Sequence, residues 1–231
     1  MKMTLLLVPG ILNDASLWDE VAAQLQPLAE VRRLPVLTQE TIPAMADAAW
    51  QLLADLPEKA PVVLAGFSLG GYVAIEMLAR PARPLRAAAL VSTSARPEAP
   101  ESRAAREKTI VAMQKDFARV VDGILQFGTH EPGAELLQRL KQMMLGVGAD
   151  TAIRQNRATM ARGDHRAALA KLDLPVAVLC GRQDRITPPA LAEELAALVP
   201  GARLQWVEGC GHMLPVEQPA SLAAALRPLL A

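Results

Sequence analysis

Three residues of this sequence each stand just past an apolar run, where a chain turns at the end of a strand. Ser68 lies in Val62-Val63-Leu64-Ala65-Gly66-Phe67-Ser68-Leu69-Gly70-Gly71, an apolar run entering Gly-x-Ser-x-Gly with a helical pattern behind it. A serine hydroxyl is a weak nucleophile until a neighbouring base takes its proton. A tight strand-to-helix turn lifts such an oxygen above the carboxyl edge of a sheet. Gly66 and Gly70 leave room for backbone to pass close by. The helix that follows aims its first amides, beginning with Leu69, at developing negative charge. The pentapeptide alone also fits an ordinary glycine-bearing turn; its place between strand and helix is what points to a nucleophile.

Such a serine needs a base, and the base needs an acid to orient it. The chain has three histidines. His212, in Glu208-Gly209-Cys210-Gly211-His212-Met213, follows the last strand-like run in a glycine-bearing loop that can reach over the sheet edge. His130 and His165 fall in polar, helical surroundings and are expected to face solvent. Taken alone, His212 fits a satisfied loop histidine equally well; beside Ser68 it reads as the general base. Asp184 ends Val176-Ala177-Val178-Leu179-Cys180-Gly181-Arg182-Gln183-Asp184, again just past a strand, with Thr187-Pro188-Pro189 opening a helix. A turn or capping role is the bland alternative. Asp164 and Asp173 precede that strand rather than follow it, and Ser92-Thr93-Ser94 leaves no acid after the Ala87–Val91 run.

The elements that must position these residues alternate in type. Strands are predicted at Thr4–Val8, Val31–Leu34, Val62–Ala65, Ala87–Val91, Val176–Cys180 and Leu204–Val207. Helices are predicted at Leu17–Leu28 with Ser16 as N-cap, Pro43–Leu56, Leu69–Ala79, Ala190–Leu198 and Ala220–Leu229. Strand, helix, strand in repetition implies right-handed crossovers and a parallel α/β sheet covered on both faces. Residues 96–170 contain no convincing strand and read as three or four helices, broken near residues 128–133 and 146–148. The whole, residues 1–231, reads as one domain with 96–170 inserted.

Taken together, Gly66–Gly70, Gly181-Arg182-Gln183-Asp184 with Pro188, and Gly211-His212 resemble the α/β-hydrolase superfamily, in order and context, across nearly the full chain. Ser…Asp…His is that family's chain order. The resemblance implies a doubly wound, three-layer α/β fold with a mainly parallel sheet of about six strands. It makes residues 96–170 a helical lid over the catalytic edge, and it places a second oxyanion donor in the loop after the first core strand. By position that donor is the Ile11 amide, joining Leu69; Pro9 stands where the family often has histidine, which leaves the anchoring of this loop open. The family commonly carries an antiparallel strand pair before its first core strand, and here the sequence starts at that strand, so the pair is expected to be absent. From the lid, Met143 and Met144 are pocket candidates, with Met113, Leu125, Phe127, Leu136, Leu140 and Met160 nearby. Met213 and Leu214, next to the base, are further candidates; helically spaced Met and Leu are more often core.

The expected reaction is hydrolysis of a small carboxylic ester, thioester or lactone through an acyl-enzyme on Ser68. Carbon–carbon hydrolase or lyase chemistry, or cofactor-free haloperoxidase or perhydrolase chemistry, would use the same triad. A lyase subgroup resembling menaquinone-pathway synthases carries Arg soon after the elbow, where this chain has Tyr72 after Gly71. From another class, a ligand-binding protein can reuse the fold. Neither a cofactor nor a metal is called for. A net charge of zero gives no basic excess for nucleic acid, and no apolar run approaches a membrane span. Cys180 and Cys210 are too few for a disulfide framework and fit free thiols in a cytoplasmic protein, with a single bridge left open.

Overall fold

The computed structural model describes residues 2–231. Six strands form one sheet in the order β2-β1-β3-β4-β5-β6: β1 (Thr4–Val8), β2 (Glu30–Arg33), β3 (Val62–Phe67), β4 (Ala87–Val91), β5 (Val176–Gly181) and β6 (Arg203–Val207). Every neighbouring pair is parallel, and no antiparallel pair precedes β1 among the described residues. Strands β1, β3, β4 and β5 are buried along their whole length, which explains their continuous apolar runs.

Alternation along each strand divides the core in two. Leu5, Leu7, Val63, Ala65 and Phe67 face a layer holding α1 (Asp19–Leu25) and α11 (Pro219–Leu226). Leu6, Val8, Val62 and Leu64 face α2 (Ile42–Gln51), α3 (Leu69–Ala79) and α9 (Pro189–Leu198). The sheet is therefore the middle of three layers. Strand order reverses at β1, whose neighbours are β2 and β3, so the loops after β1 and β3 leave the sheet on either side of a crevice.

Between β4 and β5 the chain forms five helices: α4 (Pro100–Lys115), α5 (Phe117–Gly128), α6 (Ala134–Val147), α7 (Ala149–Met160) and α8 (Arg166–Leu169). The expected count was three or four. Two breaks are additional to those near 128–133 and 146–148: one over residues 161–165 and one at Asp116, whose side chain accepts from the Arg119 amide and starts α5. A short helix α10 (Leu214–Glu217) separates the last loop from α11.

The first helix also differs from expectation. Asp14, not Ser16, caps it, accepting from the Ser16 amide at 2.8 Å. The segment opens as a 3₁₀ turn over Ala15–Trp18, and α1 ends at Leu25 rather than Leu28. Cys180 and Cys210 are both buried and free. No helix among the described residues is long and apolar enough to cross a membrane.

Candidate active site

The turn between β3 and α3 forces Ser68 into an unusual backbone conformation, φ 52° and ψ −113°. The chain can bend that sharply only where neighbouring backbone comes very close. A Cβ on Gly66 would sit 2.2 Å from the Gly70 carbonyl oxygen, and one on Gly70 would sit 2.3 Å from the Val8 carbonyl oxygen. Thr93, just past β4, donates its hydroxyl to the Ser68 carbonyl at 3.0 Å and braces the turn from the other side.

The structure brings Ser68, His212 and Asp184 together at the carboxyl edge. Ser68 Oγ lies 3.0 Å from His212 Nε2, and His212 Nδ1 lies 2.9 Å from Asp184 Oδ2. All three residues are buried. The Asp184 carboxylate is further held by Thr187: its hydroxyl donates to Oδ2 at 2.8 Å and its amide to Oδ1 at 2.8 Å, with the Ile186 amide on Oδ1 at 2.9 Å. Burial by itself would raise the Asp184 carboxyl, but the charge and hydrogen bond of His212 with the Thr187 donors outweigh it and leave it below the usual carboxylate range. The Phe67 ring stands 5.1 Å from the imidazole. Such an arrangement can pass a proton from the serine to the imidazole while the carboxylate fixes which ring nitrogen carries hydrogen.

Leu69 and Ile11 both border the cavity beside Ser68, and neither amide N–H has an acceptor among the described residues. Their side of the cavity also holds Asn13, almost wholly buried with neither amide atom hydrogen-bonded. The cavity is about 270 Å³ in volume. Apolar Ile124, Met144, Ile186 and Met213 line it. Charged groups line it as well: the Glu98 side chain is buried between Arg106 and Arg162, and Arg162 stacks over Tyr72 at 4.4 Å.

Of the four pocket candidates, Met213 and Met144 line this cavity. Leu214 does not, because it turns into the core and is fully buried. Met143 does not either: one residue from Met144 on α6, it packs on the core and its sulfur accepts from the Ser16 hydroxyl at 3.6 Å. Met113, Leu125, Leu140 and Met160 are core residues, and Phe127 lies half exposed under the Arg185 guanidinium. His165 is not solvent-facing as expected. Its Nε2 pairs with the buried carboxylate of Glu76 on α3, which ties the end of the helical segment to the sheet layer.

Two residues that sequence reasoning passed over hold the loops of the site. Glu217 accepts from three backbone amides, Gly211 at 3.0 Å, Met213 at 2.8 Å and His130 at 2.8 Å, and so clamps the His212 loop against the end of α5. The His212 amide adds a bond to the Gly128 carbonyl at 2.7 Å. Burial raises the Glu217 carboxyl above its ordinary range despite those three donors. Gln155 on α7 is fully buried and reaches the loop after β1. Only an acid five residues after the histidine marked Glu217 in the sequence; nothing marked Gln155. Among the described residues no three His, Cys, Asp or Glu side chains cluster as a metal site would need.

A family model described as "Alpha/beta hydrolase family" matches residues 5–225. Over 176 residues the chain is 32% identical to a pimeloyl-[acyl-carrier protein] methyl ester esterase of Neisseria meningitidis serogroup B, covering 73% of this chain and 68% of that protein. A protein of the same name from Aromatoleum aromaticum is 29% identical over 212 residues, covering 80% and 78%. Among solved structures, a thermophilic esterase from Thermogutta terrifontis is similar with a TM-score of 0.88 and 26% identity, over 99% of this chain and 89% of that one.

Proposed function

Because the chain belongs to the alpha/beta hydrolase family and is a carboxylic ester hydrolase, we propose that it cleaves a small acyl ester through an acyl-enzyme on Ser68. The observation that carries this reading is the unbroken hydrogen-bonded line from Ser68 Oγ through His212 to Asp184, with the serine on a strained turn at the cavity wall. His212 Nε2 takes the hydroxyl proton as Ser68 Oγ bonds to the acyl carbon. Asp184 keeps the remaining ring hydrogen on Nδ1 and stabilises the imidazolium. The free amides of Leu69 and Ile11 receive the oxyanion. As the tetrahedral species collapses, the ester C–O bond breaks and His212 returns its proton to the departing alcohol. Water then repeats the sequence on the acyl-enzyme, with His212 as base, and releases the acid. The amides count heavily: loss of one oxyanion donor costs about 3–4 kcal/mol of barrier in comparable sites.

The cavity, small and partly apolar, supports an acyl chain of modest length. The relatives' name makes a methyl ester of such a chain, with a carrier protein at its far end, the first substrate to try. Thioesters and lactones use the same steps. Helices α4–α7 each contribute to the cavity wall, through Arg106, Ile124, Met144 and Thr159, which supports reading residues 96–170 as a lid. Two free buried thiols fit a reducing, cytoplasmic setting.

The test is intact-mass labelling with a fluorophosphonate, followed by turnover of methyl and p-nitrophenyl esters of graded acyl length. A single adduct on Ser68, absent from Ser68→Ala, together with ester turnover is the expected result. An adduct without ester turnover would move the reading to carbon–carbon or peroxide chemistry on the same triad. A well-folded protein that takes no adduct and turns over no ester would sink the Ser68 reading and favour a ligand-binding role.

A further inference from the structure

The loop after β1 has few hydrogen bonds of its own. Pro9 has no amide hydrogen, and the one backbone hydrogen bond inside residues 9–13 is a long one, Asn13 N to the Gly10 carbonyl at 3.4 Å. Leu12, a branched-chain residue, is nonetheless held at φ 61°, a conformation that favours glycine. Something outside the loop must hold it there.

That hold comes from Gln155. The Leu12 amide donates to Gln155 Oε1 at 2.9 Å, and Gln155 Nε2 donates to the Leu37 carbonyl at 2.8 Å. The side chain is fully buried, so water cannot replace either bond. Its two ends are not interchangeable: turning the amide over would set an NH₂ against the Leu12 N–H and a carbonyl against the Leu37 carbonyl. The bond to Leu12 N leaves the preceding amide, Ile11, without an acceptor at the cavity wall next to Ser68.

We infer that Gln155 is a positioning residue for acyl transfer: from α7 it locks Leu12 in its left-handed conformation and thereby aims the Ile11 amide at the oxyanion. The inference rests on the reading of Ser68 as nucleophile and of Ile11 and Leu69 as oxyanion donors. Its consequence is that the oxyanion site is assembled in part by the inserted helices and is not complete on the sheet alone. Gln155 touches no reacting atom; it acts through Leu12.

Gln155→Met keeps the length and volume of the side chain and removes both hydrogen bonds. Expected is a fall in kcat of about 10²-fold, the size seen when one oxyanion donor is misplaced. KM for the same ester should stay within about twofold, because ground-state contacts are untouched. An aryl trifluoromethyl ketone, which adds to the serine and places an oxyanion in the hole, should lose affinity by the same factor as kcat/KM. Should Gln155→Met not fold, Gln155→Leu carries the same two readouts, since it too removes the acceptor from the Leu12 amide. A folded variant whose ketone affinity is unchanged, or whose loss lies in KM alone, overturns the inference while the nucleophile reading stands. A wild-type enzyme that neither binds the ketone nor takes the fluorophosphonate overturns the reading beneath it.

Discussion

The loop bearing His212 is held by a carboxylate from the very next helix, whereas the loop bearing Ile11 is held by a neutral amide 143 residues away in the chain. Glu217 offers two oxygens to two amides of its own segment, Gly211 and Met213, and to the distant His130 amide at the end of α5, so two of its three bonds are local. Gln155 lies on α7, so its bond to the Leu12 amide joins the helices between β4 and β5 to the loop after β1. On the proposed mechanism the difference separates two tasks. A base must keep its place while it gains and loses a proton. An oxyanion donor needs only direction, and a neutral side chain supplies that without placing negative charge near the negative charge that develops in the reaction.

The largest expected effect lies on the ring side of the base. Asp184→Asn should lower kcat by about 10⁴-fold with KM little changed, because the wrong ring nitrogen then carries hydrogen; steady-state kinetics on one ester reads this directly. A fall of tenfold or less would mean that Glu217, or another group, orients the imidazole instead.

Next in size is the backbone side. Glu217→Ala leaves three amides without their acceptor. Unfolding in urea should show a loss of about 3 kcal/mol, equivalent to roughly 6–12 °C in melting temperature. The folded fraction should turn over about 10–100-fold more slowly, since the base would no longer be held within reach. Retained stability and rate would show that the Gly128 carbonyl bond to the His212 amide is clamp enough.

The smallest effect sharpens the contrast by pH. Asp184 is held below its ordinary range, so the stability it contributes is fully present above the unfolded carboxylate value of about 3.9 and is lost only as pH falls through its lowered folded value. Glu217 is raised, so folding binds a proton there before the unfolded chain does, and its contribution improves as pH falls through that raised value. Measured as pH falls from 7 to the ordinary glutamate value of 4.5, the stability gap between wild type and Asp184→Asn should stay flat, while the gap between wild type and Glu217→Gln should shift in favour of wild type. Equal slopes for the two variants would contradict these opposite environments.

Much of the sheet could be read in advance because buried parallel strands advertise themselves as unbroken apolar runs: Thr4–Val8 and Ala87–Val91 have the bounds that hydropathy gives. Ser68, Asp184 and His212 were legible for a related reason, since each needs a turn at a strand end and turns leave glycine and proline behind. The inserted helices carry no such punctuation at Asp116, and their apolar residues face a core and a cavity with one chemistry. Hydropathy could not tell Met143, which packs inward, from its neighbour Met144, which meets the cavity. Leu214 was misplaced for the same reason. Gln155, Glu217 and the Glu76–His165 pair act through contacts between distant segments, and a side chain's partner in space has no signature in its own neighbourhood of the chain.

The conformation of Ser68 has a consequence for anyone seeking a sturdier version of this protein. A serine at φ 52° and ψ −113° costs the fold about 1–3 kcal/mol that a glycine there would not. A screen that rewards only survival of heating would therefore favour replacement of this serine and, on the proposed mechanism, would select inert proteins. On that mechanism position 68 has to be held fixed while the rest of the chain is varied, with turnover scored alongside heat resistance.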